Sequence, residues 1–374
     1  MLGQGKRILF MTAPIGAGHT RAAQAVQQAL LVHSPHSVSK IANIFDCFHP
    51  LLGQSLLRVY LQILALVPSL YGGMYRWGND SPIALRGREL VSRFLAARMI
   101  QYIDEYQPDA IVCTHATPAG LAAFLRRRGR IRIPVAAVVT DFVLHRLWMY
   151  REIDCYYVAH AGLQDRLGLY GVPRERSIVT GIPIDSRFSV ASGLKTSGEN
   201  DEPAILILGG GAGVLPMADI IEICRRQGDR VRVIAVTGHN HNLRRQLMLR
   251  FGDSHMISIL GYVDNIHDLM AQAHIIITKP GGMTSSEALC AGLPMIIYRP
   301  IPGQEEGNAD YLTAAGVAAR ADSPASLAEI LEKWLTGRMG SLADRRQRAW
   351  ALSRPAAAEE IVRHLLQFIE TGQA

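Results

Sequence analysis

Three glycine-containing loops could do chemistry, because each follows an apolar run typical of a buried strand and precedes a helical pattern. The first loop spans residues 13–20 and includes Gly18 and His19. Small residues let a ligand approach the backbone, and the N-terminus of the next helix offers unpaired N–H groups to an anion. An imidazole at this position can act as a general base near neutral pH. The alternative is a histidine that only caps the helix or packs against it.

The second loop, at residues 209–213, has four glycines in five residues. Such a run is costly in chain entropy unless the backbone turns sharply or contacts a ligand closely. Contact with a phosphate group is the functional interpretation. A tight turn between a strand and a helix is the structural one.

The third loop, at residues 278–289, places Gly281 and Gly282 before a helix whose first turn carries hydroxyl side chains. This kind of helix N-terminus suits a diphosphate. Glu287 lies one turn inside the helix, where a carboxylate can accept hydrogen bonds from both hydroxyls of a ribose. Stabilisation of the helix dipole would explain the acidic residue, but it does not explain the double glycine.

Short apolar runs alternate with helical segments along the chain, and this pattern must position the three loops. Because crossover connections place helices over a sheet, the alternation predicts a parallel sheet covered on both faces in each half of the chain. The first half therefore looks like a Rossmann-like α/β domain, and the second half is also α/β. The predicted strands lie at residues 6–12, 39–45, 109–114, 135–140, 155–158 and 177–180, then at 204–208, 231–236, 256–260, 275–278 and 295–298.

The polar stretch 192–203 contains glycine and has no apolar periodicity, so it is predicted to link two domains. We place these domains at residues 1–190 and 203–350. The segment 351–374 is predicted to form a C-terminal helix with an amphipathic pattern that can pack on either domain, including back onto the first.

Charge is distributed unevenly along the 374 residues, whose formal net charge is +7. Residues 1–134 carry 15 Lys and Arg against 6 Asp and Glu, which is an excess of nine positive charges. A basic face suits an anionic membrane surface or a polyanionic ligand, and a solvated basic face is the alternative. The densest cluster lies at residues 126–132. No RNA-binding or DNA-binding motif accompanies it, so we expect no nucleic-acid partner.

The region from residue 48 to 98 combines apolar and aromatic side chains with arginines. This combination is typical of a helix that lies on a bilayer, although a buried core helix is the alternative. No apolar run reaches the roughly 18 to 20 residues of a membrane-spanning helix, and no signal peptide is apparent. We therefore expect a cytoplasmic protein. Its five cysteines are far apart and are expected to be reduced core residues.

These motifs together resemble a known family. The Gly281-Gly282 pair with Glu287-Ala288-Leu289 is similar to the nucleotide-binding segment of two-domain GT-B glycosyltransferases. The Pro-Gly-Gln-Glu-x-x-Asn-Ala motif that follows at 302–309 restricts the resemblance to a smaller group of these enzymes. With Gly-Ala-Gly-His at 16–19, Val-Thr-Asp at 139–141 and Gly-Ile-Pro at 181–183, the chain resembles the monogalactosyldiacylglycerol synthases and the bacterial processive diacylglycerol glucosyltransferases. The departure is Ala17, which replaces a glycine of the family loop.

The resemblance implies a GT-B fold, α/β in class, with two Rossmann-like domains facing across a cleft. It also implies an inverting transfer of a hexose from UDP-glucose or UDP-galactose to a diacylglycerol-type lipid at an anionic membrane surface. No metal or other cofactor is expected, because helix N–H groups replace the cation and no Asp-x-Asp motif occurs. The enzyme would be cytoplasmic and peripherally associated with the membrane.

The family pattern assigns roles to individual residues. His19 is expected at the reaction centre, and Asp141 is the rival base or the group that orients it. The donor-binding residues are Gly18, Gly210, Gly211, Gly282, Met283, Thr284, Glu287, Gln304, Glu305 and Asn308. The family pattern adds His145 and Trp148 to the acceptor and membrane residues. The composition of the region from residue 48 to 98 adds Tyr71, Tyr75, Trp77, Arg86 and Arg88 to the same group.

Two other functions remain open at this stage. One is a related enzyme whose acceptor is soluble or linked to a polyprenyl chain. The other is a regulatory protein that binds a nucleotide sugar without turning it over. The presence of His19, Asp141, Glu287 and Gln304 disfavours the second interpretation.

Overall fold

The computed structural model describes residues 5–13, 17–44, 95–188, 202–209, 215–228 and 231–372. The chain divides into two compact units. Unit 1 comprises Met1–Asp185 and Ala356–Ala374, and unit 2 comprises Ser186–Pro355. The chain therefore returns to unit 1 for its last helix. Most of the predicted linker lies outside the described residues.

Unit 1 contains one sheet of six parallel strands in the order β2-β1-β3-β4-β5-β6. Helices or longer connections separate consecutive strands, as the sequence pattern predicts. The strands are β1 (Arg7–Thr12), β2 (Val38–Asn43), β3 (Ala110–Cys113), β4 (Val135–Val138), β5 (Cys155–Val158) and β6 (Ser177–Val179). The helices are α1 (Gly18–His33), α2 (residues 95–106), α3 (Ala116–Arg127), α4 (Ala161–Leu169) and, at the end of the chain, α12 (Ala357–Thr371).

Unit 2 repeats this architecture with the strand order β12-β11-β10-β7-β8-β9, again all parallel. Its strands are β7 (Ala204–Leu208), β8 (Arg232–Val236), β9 (Ile257–Leu260), β10 (Ile275–Thr278), β11 (Met295–Tyr298) and β12 (Ala318–Ala321). Its helices are α5 (Met217–Arg225), α6 (His241–Phe251), α7 (Ile266–Gln272), α8 (Gly282–Cys290), α9 (Gln304–Ala314), α10 (Pro324–Leu335) and α11 (Leu342–Leu352).

The fold confirms the predicted strands of both halves, with ends that differ by one or two residues. Strand β12 was not predicted. Its sequence, Ala-Ala-Arg-Ala, lacks the β-branched and aromatic residues that indicate a strand. It forms because it pairs with β11 at the edge of the sheet.

Helix α12 packs on unit 1 because its apolar stripe completes that unit's core. Ile361 and Leu365 are buried together with Phe10 of β1 and Val26 of α1. A polar contact adds to the packing: the Tyr157 hydroxyl lies 3.0 Å from His364 Nδ1. The amphipathic pattern predicted a packed helix, and the structure decides which unit it covers.

The arginine cluster at residues 126–132 lies at the end of α3 and is partly structural. The Arg126 guanidinium contacts both carboxylate oxygens of Asp154 at 2.5 and 2.8 Å, and Arg127 Nε is 2.6 Å from Glu152. Two of the arginines are therefore engaged in ion pairs within unit 1.

The four cysteines inside the described ranges are buried and unbridged, whereas Cys47 lies outside those ranges. A helix long and apolar enough to cross a membrane does not occur in the part of the chain that the structure describes.

Parallel strands end at the same edge of a sheet, and ligands of α/β proteins bind outside the carboxyl ends of the strands. In unit 1 this edge collects the segments after β1, β3 and β4. In unit 2 it collects the segments after β10 and β11, and β7 ends at the same edge. The first predicted loop therefore follows a strand that ends at this edge in unit 1, and the third loop follows such a strand in unit 2.

Candidate functional site

His19 lies in the first turn of α1, beyond the end of β1. Its Nδ1 atom is 2.8 Å from the carbonyl oxygen of Thr114, which follows β3, and 2.9 Å from the hydroxyl of Thr140, which follows β4. A carbonyl oxygen can only accept a hydrogen bond, so Nδ1 carries the proton. The hydrogen bonds therefore assign the tautomer of His19 and tie it to the ends of two strands.

The His19 ring is uncharged at neutral pH. Burial lowers its pKa to about 4, against the opposing effect of the hydrogen bond to the Thr114 carbonyl. With the proton on Nδ1, the neutral ring has its lone pair on Nε2. An imidazole in this form can accept a proton from a hydroxyl group.

Two further histidines lie close to His19. The ring of His115 is 4.6 Å from that of His19 between centroids, and the two planes are perpendicular at 89°. Burial, with a smaller effect from the neighbouring His19, lowers the pKa of His145 to about 4. Burial also lowers the pKa of His115 well below its usual range, with smaller effects from His19 and His145. The site therefore holds three neutral imidazoles.

The second and third rings have the opposite tautomer to His19. His115 Nδ1 accepts a hydrogen bond from the Thr117 N–H at 3.1 Å, and His145 Nδ1 accepts one from the Leu147 N–H at 3.2 Å. Each ring in its neutral form therefore carries its proton on Nε2. His145 was predicted from the sequence and His115 was not, although the place of His115 directly after a predicted strand was an available signal.

Several polar and aromatic side chains of unit 1 at or beyond the ends of β1, β3 and β4 are buried. Asp141 directly follows Thr140 and is 4% exposed. Trp148 is 1% exposed, and its ring centroid is 6.4 Å from that of His145. This burial makes Trp148 a packing residue of unit 1, and its predicted contact with an acceptor or membrane stays a prediction. The buried hydroxyls of Thr12 and Thr114 have no hydrogen-bond partner among the residues that the structure describes.

Seven of the residues predicted from the sequence lie outside the described ranges, so their roles stay predictions. Five belong to the acceptor and membrane group and two to the donor group. They are Tyr71, Tyr75, Trp77, Arg86, Arg88, Gly210 and Gly211.

In unit 2, the third loop leads into the N-terminus of α8. The Thr278 hydroxyl at the end of β10 donates a hydrogen bond to the Leu208 carbonyl of β7 at 2.8 Å. Gly281 is the N-cap, and a Cβ atom there would meet open space, so packing does not require the glycine. The first N–H groups of a helix, here those of Gly282, Met283 and Thr284, have no intrahelical partner. This end of α8 can therefore receive an anion.

Glu287 lies in the second turn of α8 and is fully buried, at 0% exposure. A charged carboxylate is retained in a protein interior only where neighbouring groups stabilise it. A ribose could reach this carboxylate only if atoms that cover it moved. The predicted contact between Glu287 and a ribose stays a prediction.

The segment between β11 and α9 holds the remaining predicted donor residues. Gly303 has φ +105°, a conformation that favours glycine, and Gln304 begins α9. Glu305 accepts a hydrogen bond from the Ile301 N–H at 2.8 Å, and burial raises its pKa. The fully buried Asn308 donates from Nδ2 to the Pro280 carbonyl at 3.0 Å. Asn308 thus connects α9 to the loop that precedes α8.

Lys279 is a second residue of these segments that was not predicted from the sequence. Its ammonium group donates to the carbonyl of Arg299, a non-glycine residue with φ +48°. Burial lowers the pKa of Lys279, while the nearby Glu305 acts in the opposite direction. Lys279 therefore connects the segments that follow β10 and β11. A lysine directly before Pro-Gly-Gly at a strand end was the available signal.

No group of three or more His, Cys, Asp or Glu side chains that could hold a metal ion is found within the described residues.

Two family models match the chain in succession. Residues 19–184 match the model for monogalactosyldiacylglycerol (MGDG) synthase, and residues 204–360 match the glycosyltransferase family 28 C-terminal domain. Solved structures share the fold.

MurG of Acinetobacter baumannii has a TM-score of 0.63 at 16% identity, and the match covers 97% of this chain and 99% of the MurG chain. MnaA of S. aureus, solved with UDP, has a TM-score of 0.64 at 16% identity, covering 98% and 97%. The family models and the shared fold thus define a GT-B glycosyltransferase.

Curated relatives identify the family. The processive diacylglycerol beta-glucosyltransferase of Bacillus subtilis is 31% identical over 326 residues, which is 85% of this chain and 84% of the relative. The enzyme of the same name from Bacillus cytotoxicus is 31% identical over 337 residues, covering 87% and 84%. The chain belongs to the family of MGDG synthases and processive diacylglycerol glucosyltransferases. It is a UDP-sugar-dependent hexosyltransferase.

The bond from Asn308 to Pro280 leads to a prediction about donor binding. Asn308→Leu keeps a similar volume but leaves the Pro280 carbonyl without this donor, so the loop before α8 loses a restraint. Loss of one buried hydrogen bond costs about 1–2 kcal/mol, which corresponds to roughly 5- to 30-fold weaker UDP binding. Isothermal titration calorimetry with UDP measures the change.

Asp310→Ala is the matched control, because Asp310 is exposed on the same helix. Its affinity for UDP should equal that of the parent. A folded Asn308→Leu variant that also binds UDP with parental affinity would show that this bond does not shape the donor site.

Proposed function

We propose that the protein transfers a hexosyl group from a UDP-sugar to a diacylglycerol-type lipid at a membrane surface, with inversion at the anomeric carbon and without a metal ion or other cofactor. The name of its relatives, processive diacylglycerol beta-glucosyltransferase, supports the acceptor class. That name also supports inversion, because UDP-glucose is an α-glucoside and a β-linked product requires one displacement. The observation that carries the proposal is the neutral His19 ring with its proton fixed on Nδ1.

In this reaction the acceptor hydroxyl oxygen forms a bond to the anomeric carbon. The bond from that carbon to the diphosphate oxygen breaks, and UDP leaves with the electron pair. The hydroxyl proton passes to Nε2 of His19 as the new bond forms, when the attacking oxygen is far more acidic than in a free alcohol. The resulting imidazolium keeps its Nδ1–H bonded to the Thr114 carbonyl, which stabilises the positive charge.

Asp141 is the rival base, or the group that orients the acceptor or His19. It follows Thr140, whose hydroxyl contacts the His19 ring, so it lies on the same segment as a His19 partner. Substitution of each residue by itself separates the two roles.

The donor would be held by residues of unit 2. The N–H groups of Gly282, Met283 and Thr284 and the positive end of α8 would stabilise the leaving diphosphate in place of a cation. Gly210 and Gly211 would extend this contact with their backbones, and Gly18 of unit 1 stays a donor residue predicted from the sequence. Glu287 would bind the ribose, while Gln304 and Glu305 would bind sugar hydroxyls and Asn308 would hold their loop.

A product assay tests the reaction. The protein is incubated with UDP-glucose or UDP-galactose and with diacylglycerol in mixed-lipid vesicles, with and without excess EDTA. We expect a glycosyl-diacylglycerol in both conditions, and the coupling constant of the anomeric proton should report a β-linkage. Activity that returns only with Mg²⁺ or Mn²⁺ would refute metal-independent transfer, and an α-linked product would refute inversion.

Parallel reactions with a polyprenyl-linked and a water-soluble acceptor test the acceptor class. Product from one of these and none from diacylglycerol would replace the proposed acceptor. UDP binding without product from any acceptor would indicate a non-catalytic nucleotide-sugar-binding protein.

The base is tested by single substitutions. His19→Ala should lower kcat by roughly 10²- to 10⁴-fold, the usual contribution of a general base, and leave UDP affinity nearly unchanged. His33→Ala is the control, because His33 is an exposed histidine at the other end of α1. A loss of less than threefold for His19→Ala, with a large loss for Asp141→Asn, would assign the base to Asp141.

Membrane association is proposed from the charge distribution, because residues 1–134 carry an excess of nine positive charges. Sedimentation with vesicles should show stronger binding to anionic than to neutral lipid, and added salt should weaken the binding. Arg86→Glu with Arg88→Glu should reduce binding to anionic vesicles and leave UDP binding intact.

The charge-matched control is Arg245→Glu with Arg363→Glu, two exposed residues outside this basic region. Equal sedimentation of the two double variants would show that net charge alone attracts the protein. The absence of binding to any vesicle would reject the membrane surface and favour a soluble acceptor.

A further inference from the structure

The junction between β3 and α3 contributes two consecutive residues to the surroundings of His19. Thr114 supplies the carbonyl that accepts the Nδ1–H bond at 2.8 Å, and His115 places its ring against the same imidazole. We propose that His115 is a positioning residue, which holds the His19 ring in the orientation that accepts the acceptor proton. This inference rests on the proposed function.

The geometry of the two rings supports this role. Their centroids are 4.6 Å apart and their planes are perpendicular at 89°, an arrangement that aromatic rings favour. A hydrogen bond at one edge of His19 still allows the ring to tilt about that bond. A ring packed perpendicular to it limits the tilt. Together, Thr114 and His115 fix the direction of the Nε2 lone pair.

His115 is itself held by the helix that it begins. It is the N-cap of α3, and its Nδ1 accepts a hydrogen bond from the Thr117 N–H at 3.1 Å. The N-cap bond therefore fixes both the backbone that carries the Thr114 carbonyl and the ring that contacts His19. His115 therefore caps its own helix and also contacts His19, which is far away in the sequence.

The neutral state of His115 also matters, because His19 gains a positive charge during the proposed reaction. A charged neighbour would oppose that gain. Burial is the largest cause that keeps the pKa of His115 well below its usual range, so the ring stays uncharged. The groups near His19 are the Thr114 carbonyl, the Thr140 hydroxyl, His115 and His145, with Asp141 next to Thr140.

Two substitutions separate the functions of His115. His115→Asn keeps an N-cap oxygen for the Thr117 N–H and removes the ring. His115→Phe keeps a ring against His19 and removes the acceptor for the cap. His33→Asn, on the exposed end of α1, controls for the loss of a histidine in general.

We expect His115→Asn to lower kcat by roughly 10- to 100-fold, since a small misplacement of a catalytic group has this effect, with the KM for the UDP-sugar unchanged. Water admitted next to His19 should raise its pKa from about 4 towards the ordinary value. His115→Phe should keep kcat within about threefold and keep the His19 pKa low, because the ring still excludes water. Its thermal stability should fall because the cap is lost.

Two results would overturn the proposal. Parental kcat and parental His19 pKa in His115→Asn would mean that His115 only caps α3. Equal losses of kcat in both variants, with the His19 pKa unchanged, would mean that the His115 Nε2–H contacts a substrate directly.

The pKa and tautomer of His19 are measured by NMR on protein with ¹⁵N-labelled histidine, which needs no turnover. If the parent forms no glycolipid, the proposed function fails while this measurement still reports the effect of His115 on His19. A His19 ring whose pKa and tautomer are the same in the parent and in both variants would refute positioning even in an active enzyme.

Discussion

Parallel pairing of every strand is the constraint on which both candidate sites depend. In unit 1, the pairing of β1 with β3 places Met11 beside Cys113, so the chain segments that follow them leave the sheet side by side. His19 belongs to the segment that follows β1, and the Thr114 carbonyl belongs to the segment that follows β3. A one-residue change in register would move the Thr114 carbonyl away from the imidazole. It would also turn the Thr114 side chain to the other face of the sheet.

Burial then determines the chemistry of the groups that meet at this edge. Three imidazoles gathered in partly buried surroundings favour the neutral form, and hydrogen bonds to backbone groups set their tautomers. His19 donates from Nδ1 to a carbonyl, whereas His115 and His145 accept at Nδ1 from backbone N–H groups. The same residue type therefore has its lone pair on Nε2 at one position and its proton there at two others.

In unit 2, backbone restraints surround the helix N-terminus that is proposed to hold the donor diphosphate. Asn308 connects the start of α9 to the Pro280 carbonyl, and Lys279 connects the segments after β10 and β11. These restraints hold the N-terminus of α8 beside the loop that ends with Gly303. Because partial charges on helix N–H groups act over a short range, the restraint of the surrounding loops matters as much as the dipole.

The amino-acid sequence by itself determined the α/β class, eleven of the twelve strands that the structure describes and the place of His19 beyond the end of the first strand, because these depend on local periodicity and on residue type at a strand end. It also identified α12 as amphipathic. Only the tertiary structure decided that α12 completes the core of unit 1, that Trp148 is buried and that Arg126 pairs with Asp154. The tautomer of His19 and its contact with His115 were likewise outside the reach of the sequence. The tautomer depends on a hydrogen bond to a carbonyl 95 residues away, and a local sequence pattern does not predict which distant backbone atom a side chain contacts.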